Sequence, residues 1–362
     1  MTPRMSMQEA LARYRGRRVL VTGHTGFKGS WLALWLRELG AHVSGLALPM
    51  PKPNHADLVG LEGLVTHHDV DIRDLAAVER VFAAEQPEVV FHLAAQPLVR
   101  LSYETPKETF DVNVGGTVNV LEAVRTTKSV TAAVMITSDK AYENREWVYA
   151  YRENDPMGGH DPYSASKGAA EIVIASYRRS FGQTSGRPLG IASTRAGNVI
   201  GGGDFAVDRI IPDCVRALAA GEPVHIRSPH AVRPWQHVLE PLSGYLVLGA
   251  HLFDQPRRFS DAYNFGPLGD ELVPVEPLAR TFLDVWGSGT LRIDPPKDAP
   301  HEAHLLRLAC DKAVMELGWR PLLSTREAIS WSARWYRAWN EKRSLIDLSR
   351  EQIAQYRAAM GS

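Results

Sequence analysis

Short apolar runs alternate with longer stretches of helical periodicity through the first half of the chain. Arg18-Val19-Leu20-Val21-Thr22 reads as a buried strand, followed by a glycine-rich turn and a helix through Trp31-Leu32-Ala33-Leu34-Trp35-Leu36 that closes at Gly40. Further strands are predicted at His42-Val43-Ser44-Gly45-Leu46, near Leu64-Val65-Thr66, at Val89-Val90-Phe91-His92-Leu93 and at Ala132-Ala133-Val134-Met135-Ile136-Thr137. Helical patterns run from Asp74 to Glu85 and from about Pro106 to Arg125. Strands that are apolar on both faces and alternate with helices predict a parallel sheet covered on each side.

After Gly201 the rhythm loosens. A short strand at Pro223-Val224-His225-Ile226 mixes with helices near Arg209–Ala220, Glu276–Trp286 and Thr325–Trp339. The chain is therefore expected to be a Rossmann-like doubly wound α/β fold with a smaller mixed α/β C-terminal part. Residues 1–190 are assigned to a dinucleotide-binding domain carrying the catalytic residues. Residues 191–362 are assigned mainly to substrate binding, with some segments returning to the sheet. Ligands of open α/β sheets bind outside the C-terminal ends of the strands, and the irregular half is expected to pack there.

The turn Thr22-Gly23-His24-Thr25-Gly26-Phe27-Lys28-Gly29 joins the first strand to the first helix. Gly23 permits the tight turn, Gly26 lets backbone N–H groups approach a pyrophosphate, and Gly29 lets helix and strand pack closely. The helix N-terminus adds fixed positive potential for phosphates. Asp71 and Ile72, past the third strand, are placed for an adenine ring, and Leu93, Ala94 and Ala95, at and past the end of the fourth, leave room for ribose and phosphates. The acid that usually ends the second strand of NAD sites is replaced by Gly45-Leu46-Ala47-Leu48-Pro49. That departure leaves NAD and NADP both open, with Lys52 and His55 the groups that could meet a 2′-phosphate.

Tyr163-Ser164-Ala165-Ser166-Lys167 puts a tyrosine and a lysine four apart, on one helix face. A tyrosine takes a proton from a sugar hydroxyl only as phenolate. Lowering its ordinary pKa of ~10 to neutrality requires about 4 kcal/mol of differential stabilisation. The Lys167 ammonium and a positive nicotinamide ring are the expected sources. Thr137-Ser138-Asp139-Lys140 ends a buried strand ahead of this helix, and an adjacent acid and amine suggest proton transfer on carbon and oxygen.

With these motifs the chain resembles the extended short-chain dehydrogenase/reductase (NAD-dependent epimerase/dehydratase) superfamily, on the glycine loop, Asp71-Ile72, His92-Leu93-Ala94-Ala95, Asn113, Ser138 and Tyr163-x-x-x-Lys167. Within it the chain is most similar to the CDP-glucose 4,6-dehydratases. The more specific matches are Gly23 to Trp31, Ala95-Gln96-Pro97-Leu98-Val99-Arg100, Thr137 to Lys140, Arg195 to Asp204 and Arg233-Pro234-Trp235-Gln236-His237-Val238. The resemblance spans about residues 15–340.

It implies an NAD-dependent lyase (hydro-lyase) of deoxysugar and lipopolysaccharide O-antigen precursor synthesis. Its substrate would be CDP-D-glucose and its product CDP-4-dehydro-6-deoxy-D-glucose. Tyr163 would take the C4 hydroxyl proton during C4 oxidation, with Ser138 on the C4 oxygen and Lys167 on the nicotinamide ribose. Water would leave across C5–C6 with Asp139 as acid, and the hydride would return to C6. Lys140 stands where related dehydratases place a glutamate base. It could act as a neutral base or stay charged and stabilise the enolate. Asn198, Arg209 and Arg233 are candidates for the diphosphate, and Gln96 and Arg100 for the hexose or cofactor. The resemblance also implies a homodimer or homotetramer, pairing the helix before Arg125 with the helix carrying Tyr163.

A sugar-nucleotide 4-epimerase shares Tyr163 and Lys167 but needs no Asp139-Lys140. A dehydratase acting on another nucleotide sugar is a second rival. A non-catalytic NAD-binding scaffold, which could dispense with the Tyr163–Lys167 pair, is a third. No residue pattern is itself cytosine-specific.

Composition narrows the partners. Lys and Arg total 41, as do Asp and Glu, and there is no polybasic block, so nothing favours nucleic acid or a membrane surface. Cys214 and Cys310 are the only cysteines and lack metal-ligand spacing. Reduced thiols, no apolar signal core in residues 1–18 and no membrane-length apolar run give a cytoplasmic expectation. His301-Glu302-Ala303-His304 is not spaced as a zinc helix, and no metal is expected.

Overall fold

The computed structural model describes residues 5–182, 186–207, 209–268, 273–293 and 306–361. The strands β1 (Arg18–Thr22), β2 (His42–Ala47), β3 (Thr66–Asp69), β4 (Val89–His92), β5 (Ala132–Ile136), β6 (Gly190–Ala196) and β7 (Ala262–Phe265) form one sheet. Its spatial order is β7-β6-β5-β4-β1-β2-β3, and every pairing is parallel. The order reverses between β1 and β4, so their C-terminal ends open the crevice where such sheets bind ligands.

The apolar runs divide by strand periodicity. Val19, Val21, Phe91 and Val134 face a core shared with helices α1 (Phe27–Glu38) and α6 (Leu239–Asp254). Leu20, Val90, Ala133 and Met135 face the opposite core, with α2 (Leu75–Glu85), α3 (Gly116–Thr126) and Ile174 of α4 (Pro162–Tyr177). The remaining longer helices are α5 (Ile210–Ala220), α7 (Val275–Trp286), α8 (Thr325–Asn340) and α9 (Leu345–Ala359).

Two sequence expectations shift. The third strand begins at Thr66, because Leu64 and Val65 donate to the Leu61 carbonyl and close a 3₁₀ turn instead. The helix expected from Pro106 to Arg125 is interrupted by a π-turn at Asp111–Gly115. That turn carries Asn113, whose amide donates to the Gln96 carbonyl at 3.1 Å and Ser166 Oγ at 2.9 Å. A π-turn often marks a functional site, and this one ties the β4 loop to the catalytic helix.

Helix α6 is buried on every side and runs against β5 and β6, so it shows no amphipathic stripe. Its Glu240 is 1% exposed and accepts from Tyr356 Oη at 2.6 Å, Leu323 N at 2.6 Å and Leu322 N at 3.0 Å. This carboxyl anchors the turn ahead of α8 and the end of α9. Burial pushes its pKa up to about 7, against the pull of those donors. A folded-state pKa above the unfolded one makes a contribution that is complete below the unfolded value and is lost as pH rises through about 7. Wild-type protein should therefore lose of the order of 3 kcal/mol between pH 5 and pH 8 from this group. Glu240→Gln should flatten that part of the profile, as read by thermal midpoints across the range. A variant with the wild-type slope would show that Glu240 is not its source.

Candidate active site

Four segments meet at the C-terminal ends of β1, β4 and β5. In the first, Gly23 has φ +72°, and a Cβ there would lie 2.7 Å from Ala94 N. At Gly29 a Cβ would come within 2.1 Å of the Gly23 carbonyl, so helix α1 packs onto the turn as closely as backbone allows. Gly26 is the N-cap of α1 and offers no side chain, leaving its first turn open to an anion. Thr25 Oγ1 donates to the Leu48 carbonyl at 3.0 Å, fixing this loop against the end of β2.

The β4 end forms the second wall. Thr22 Oγ1 lies 2.7 Å from His92 Nδ1 and accepts from Ala94 N at 3.1 Å, and His92 Nε2 lies 3.1 Å from Thr117 Oγ1. Burial, with Lys167 nearby, pushes His92 down to about 3, so the imidazole is a neutral strut. Leu93, Ala94 and Ala95 follow it, half-buried. Beyond β3, Arg73 holds Asp71 in a forked pair at 2.6 and 2.9 Å and lowers its pKa. Ile72 is buried, filling the space beside Gly116.

The third segment is the Ser138–Ala141 turn at the end of β5. Ser138 Oγ donates to Asp139 Oδ1 at 3.0 Å and accepts from Lys140 N at 3.2 Å. Asp139 is 6% exposed, and burial raises its pKa although Lys140, the Ser138 hydroxyl and Lys28 pull it down. A Cβ at Gly197 would stand 3.0 Å from Asp139 Oδ2, so the absence of a side chain there leaves space for the carboxyl. Lys140, next on the turn, is exposed.

Helix α4 supplies the fourth. Asp161 caps it by accepting from Ser164 N at 2.9 Å, and Pro162 opens its first turn. Tyr163 and Lys167 are both buried, and Tyr163 N donates to Ser102 Oγ at 3.1 Å. Burial pushes Tyr163 up to about 12, with the Ser138 hydroxyl and Arg209 opposing and Asp139 reinforcing the rise. The protein alone therefore does not produce the depressed tyrosine that the sequence reading expects. Lys167 falls to about 7, first through burial and then through the Lys28 ammonium, with Glu171 opposing.

Lys28 is the residue whose place the sequence reading describes least well. Its motif groups it with the cofactor loop, but its ammonium lies 5.8 Å from the centre of the Tyr245 ring and feels Asp139 and Arg209. Burial lowers it to about 8. Half-buried Lys28, in the open first turn of α1, and buried Lys167 on α4 supply positive charge, and the residues present fit the diphosphate of a dinucleotide.

The candidate substrate residues are less uniformly gathered. Arg209 stands at the start of α5, held to Asp204 at 2.7 Å, and its charge acts on Tyr163. Asn198 lies half-buried between β6 and the strand Val199–Ile200, and Arg233 lies half-buried in the strand Val232–Arg233. Gln96 directs its amide into its own loop, donating to Thr109 Oγ1 at 2.9 Å and to the Leu98 carbonyl at 3.1 Å. Arg100 is exposed in the short helix Val99–Glu104.

His55 does not meet a 2′-phosphate. It is fully buried, stacked 4.4 Å from Trp31 and bonded to Ser30 and Ser349 at 3.0 and 3.2 Å. Lys52 is paired with Asp57. The segment His301-Glu302-Ala303-His304 lies outside the described residues. Among those described, no group of His, Cys, Asp and Glu could hold a metal, and no helix is long and apolar enough to cross a membrane.

Glu171 and Ser102 stand in none of the motifs, and Arg195 stands in one without a role; the fold makes Glu171 and Arg195 parts of the site's frame and Ser102 the partner of Tyr163. Glu171 is findable, since it continues the Tyr163–Lys167 spacing by one more turn of the same face.

The chain has near-full-length relatives among known proteins. The chain is 48% identical over 350 residues to the CDP-glucose 4,6-dehydratase of Salmonella typhimurium, covering 96% of this chain and 98% of that one. It is 31% identical to the dTDP-glucose 4,6-dehydratase of Streptomyces antibioticus, covering 89% and 94%. Among solved structures, a double mutant of the dTDP-glucose 4,6-dehydratase DesIV from Streptomyces venezuelae, with NAD bound, superposes with a TM-score of 0.75. It is 25% identical, and the match covers 91% of this chain and 99% of that one. The model of the NAD dependent epimerase/dehydratase family matches residues 19–266, and the chain belongs to that family.

Proposed function

We propose that this protein is an NAD-dependent lyase that converts CDP-D-glucose to CDP-4-dehydro-6-deoxy-D-glucose. The observation that carries the reading is a buried acid, Asp139, hydrogen-bonded to Ser138 and close enough to raise the pKa of the Tyr163 phenol. An epimerase would need the tyrosine and serine but has no use for a carboxyl acid beside them. The near-full-length likeness to a CDP-glucose 4,6-dehydratase supports the cytidine nucleotide.

The turn from Gly23 to Gly29, with Lys167, would hold NAD, which would supply a hydride acceptor for C4 and a hydride donor for C6. The chain's own residues move the protons. Tyr163 takes the C4 hydroxyl proton, and Ser138 holds the C4 oxygen. The ketone so formed acidifies C5. Asp139, whose pKa burial raises, delivers a proton to the departing C6 hydroxyl. Lys140, on the same turn, either takes the C5 proton as a neutral amine or steadies the enolate as an ammonium. Arg209, Arg233 and Asn198 hold the diphosphate, the guanidinium forks matching its oxygens. A homodimer or homotetramer built on the helices before Arg125 and carrying Tyr163 belongs to the same reading. Exposed Ile172 on α4 and Phe110 ahead of α3 support it. A cytoplasmic setting and a role in deoxysugar synthesis for surface polysaccharide belong to it as well.

The test is incubation with NAD and CDP-, dTDP-, GDP- and UDP-hexoses in deuterated water, with product mass and NMR. Loss of water from the CDP-hexose, solvent deuterium at C5 and internal transfer from C4 to C6 are expected. An isomeric product without mass loss would replace this reading with epimerisation.

A further inference from the structure

The oxidation pair and the dehydration pair come from different elements, α4 and the turn after β5, yet one hexose must meet both. A buried ion pair belonging to neither set joins them. Glu171 continues the Tyr163–Lys167 face of α4 and is 2% exposed. Its Oε1 accepts from Thr137 Oγ1 at 2.5 Å, and its Oε2 accepts from Ser193 Oγ and Arg195 Nη2, both at 2.8 Å. Thr137 immediately precedes Ser138, and its N–H is fixed to the Thr194 carbonyl at 2.9 Å.

Arg195 reaches the other end of the same turn. Its Nη1 donates to Tyr142 Oη at 2.6 Å and to the Glu153 carbonyl at 3.0 Å, and its guanidinium lies 4.8 Å from the centre of the Tyr142 ring. Tyr142 closes the Ser138–Ala141 turn through its N–H to the Asp139 carbonyl, and its hydroxyl donates to Asn264 Oδ1 at 2.8 Å on β7. The ion pair therefore grips the turn where the chain enters it, at Thr137, and where the chain leaves it, at Tyr142. Both grips refer back to the helix that carries Tyr163 and Lys167.

A buried ion pair is weak support for stability, since well-packed apolar residues often serve as well. What it specifies is geometry, because both carboxylate oxygens of Glu171 and both terminal nitrogens of Arg195 are aimed at fixed partners. We infer that Glu171 and Arg195 are positioning residues that fix the register between Tyr163/Lys167 and Asp139/Lys140, acting through the Thr137 and Tyr142 hydroxyls. The inference rests on the dehydratase reading above.

The variants that test it leave the ion pair intact, because removing either charge would strand the other in the core. Thr137→Val and Tyr142→Phe each delete one hydroxyl, and Thr137→Ser keeps it. In single turnovers with CDP-glucose, C4 oxidation is followed by the absorbance of the reduced nicotinamide and water loss by product mass. Thermal midpoints are taken alongside. The ratio of dehydration to oxidation should fall by about 10-fold or more in Thr137→Val and Tyr142→Phe, the scale of a displaced catalytic group. Thr137→Ser should keep the wild-type ratio. Loss of folded protein lowers both rates together and leaves the ratio unmoved, so a wild-type ratio in both deletion variants overturns the inference whatever their stability. Wild-type protein that removes water from none of the four hexoses overturns the functional reading, and this inference with it.

Discussion

Asp139→Asn should oxidise CDP-glucose at C4 but lose water from it at least about 100-fold more slowly than wild type. The substitution keeps the shape of the side chain and an oxygen that can accept from Ser138, as Asp139 Oδ1 does at 3.0 Å. It removes only the acidic proton. That proton matters because hydroxide is a poor leaving group, and positioned general acids are worth about 10²–10⁴ in rate. The site is built to keep it. Asp139 is buried, and desolvation raises its pKa against Lys140, Ser138 and Lys28. Following reduced-nicotinamide absorbance and product mass in parallel, the variant should show a lasting rise in the first and a collapse in the second. The wild-type dehydration rate should also fall as pH rises through the raised Asp139 pKa, whereas the residual rate of the variant should not follow that limb. A variant that dehydrates within a few-fold of wild type would move the acid role to another group.

Much of this site is legible in the sequence because its chemistry sits at strand ends. The ends of β1, β4 and β5 are apolar runs that stop abruptly, and Gly23, Ala94 and Ser138 stand where they stop. Tyr163 and Lys167 are tied by helix spacing, which needs no tertiary information. The parts that are not legible depend on contacts across the sequence. Helix α6 carries no stripe because it is buried all round, so periodicity cannot separate it from a buried strand. His55 looks available from its loop, but Trp31, Ser30 and Ser349 enclose it. Lys28 sits inside a cofactor motif, and only the fold brings its ammonium toward Asp139 and Tyr245. The Glu171–Arg195 pair joins α4 to β6, and its meaning lies in a contact that neither segment shows alone.

Tyr163→Phe tests the other half of the proton ledger, and it should lower the rate of C4 oxidation by about 10²–10⁴. The phenol of Tyr163 is buried, and burial holds it at about 12, with Ser138 and Arg209 pulling it down and Asp139 pushing it up. A proton acceptor held this high is short of phenolate at neutral pH, so the oxidation rate should rise with pH across the neutral range and fall as pH drops. The positive ring of a bound nicotinamide would then supply the charge that brings the phenol within reach, and Lys167, itself lowered to about 7, is a weaker source than its spacing suggests. Phe keeps the ring and its packing but cannot take the proton, so the residual rate should be flat with pH. The same variant should leave the later proton chemistry in place. Given CDP-4-dehydro-D-glucose directly, it should still exchange the C5 proton for solvent deuterium, because that step uses the turn after β5. Loss of exchange together with oxidation would mean that Tyr163 also serves at C5, and Lys140 would lose that role.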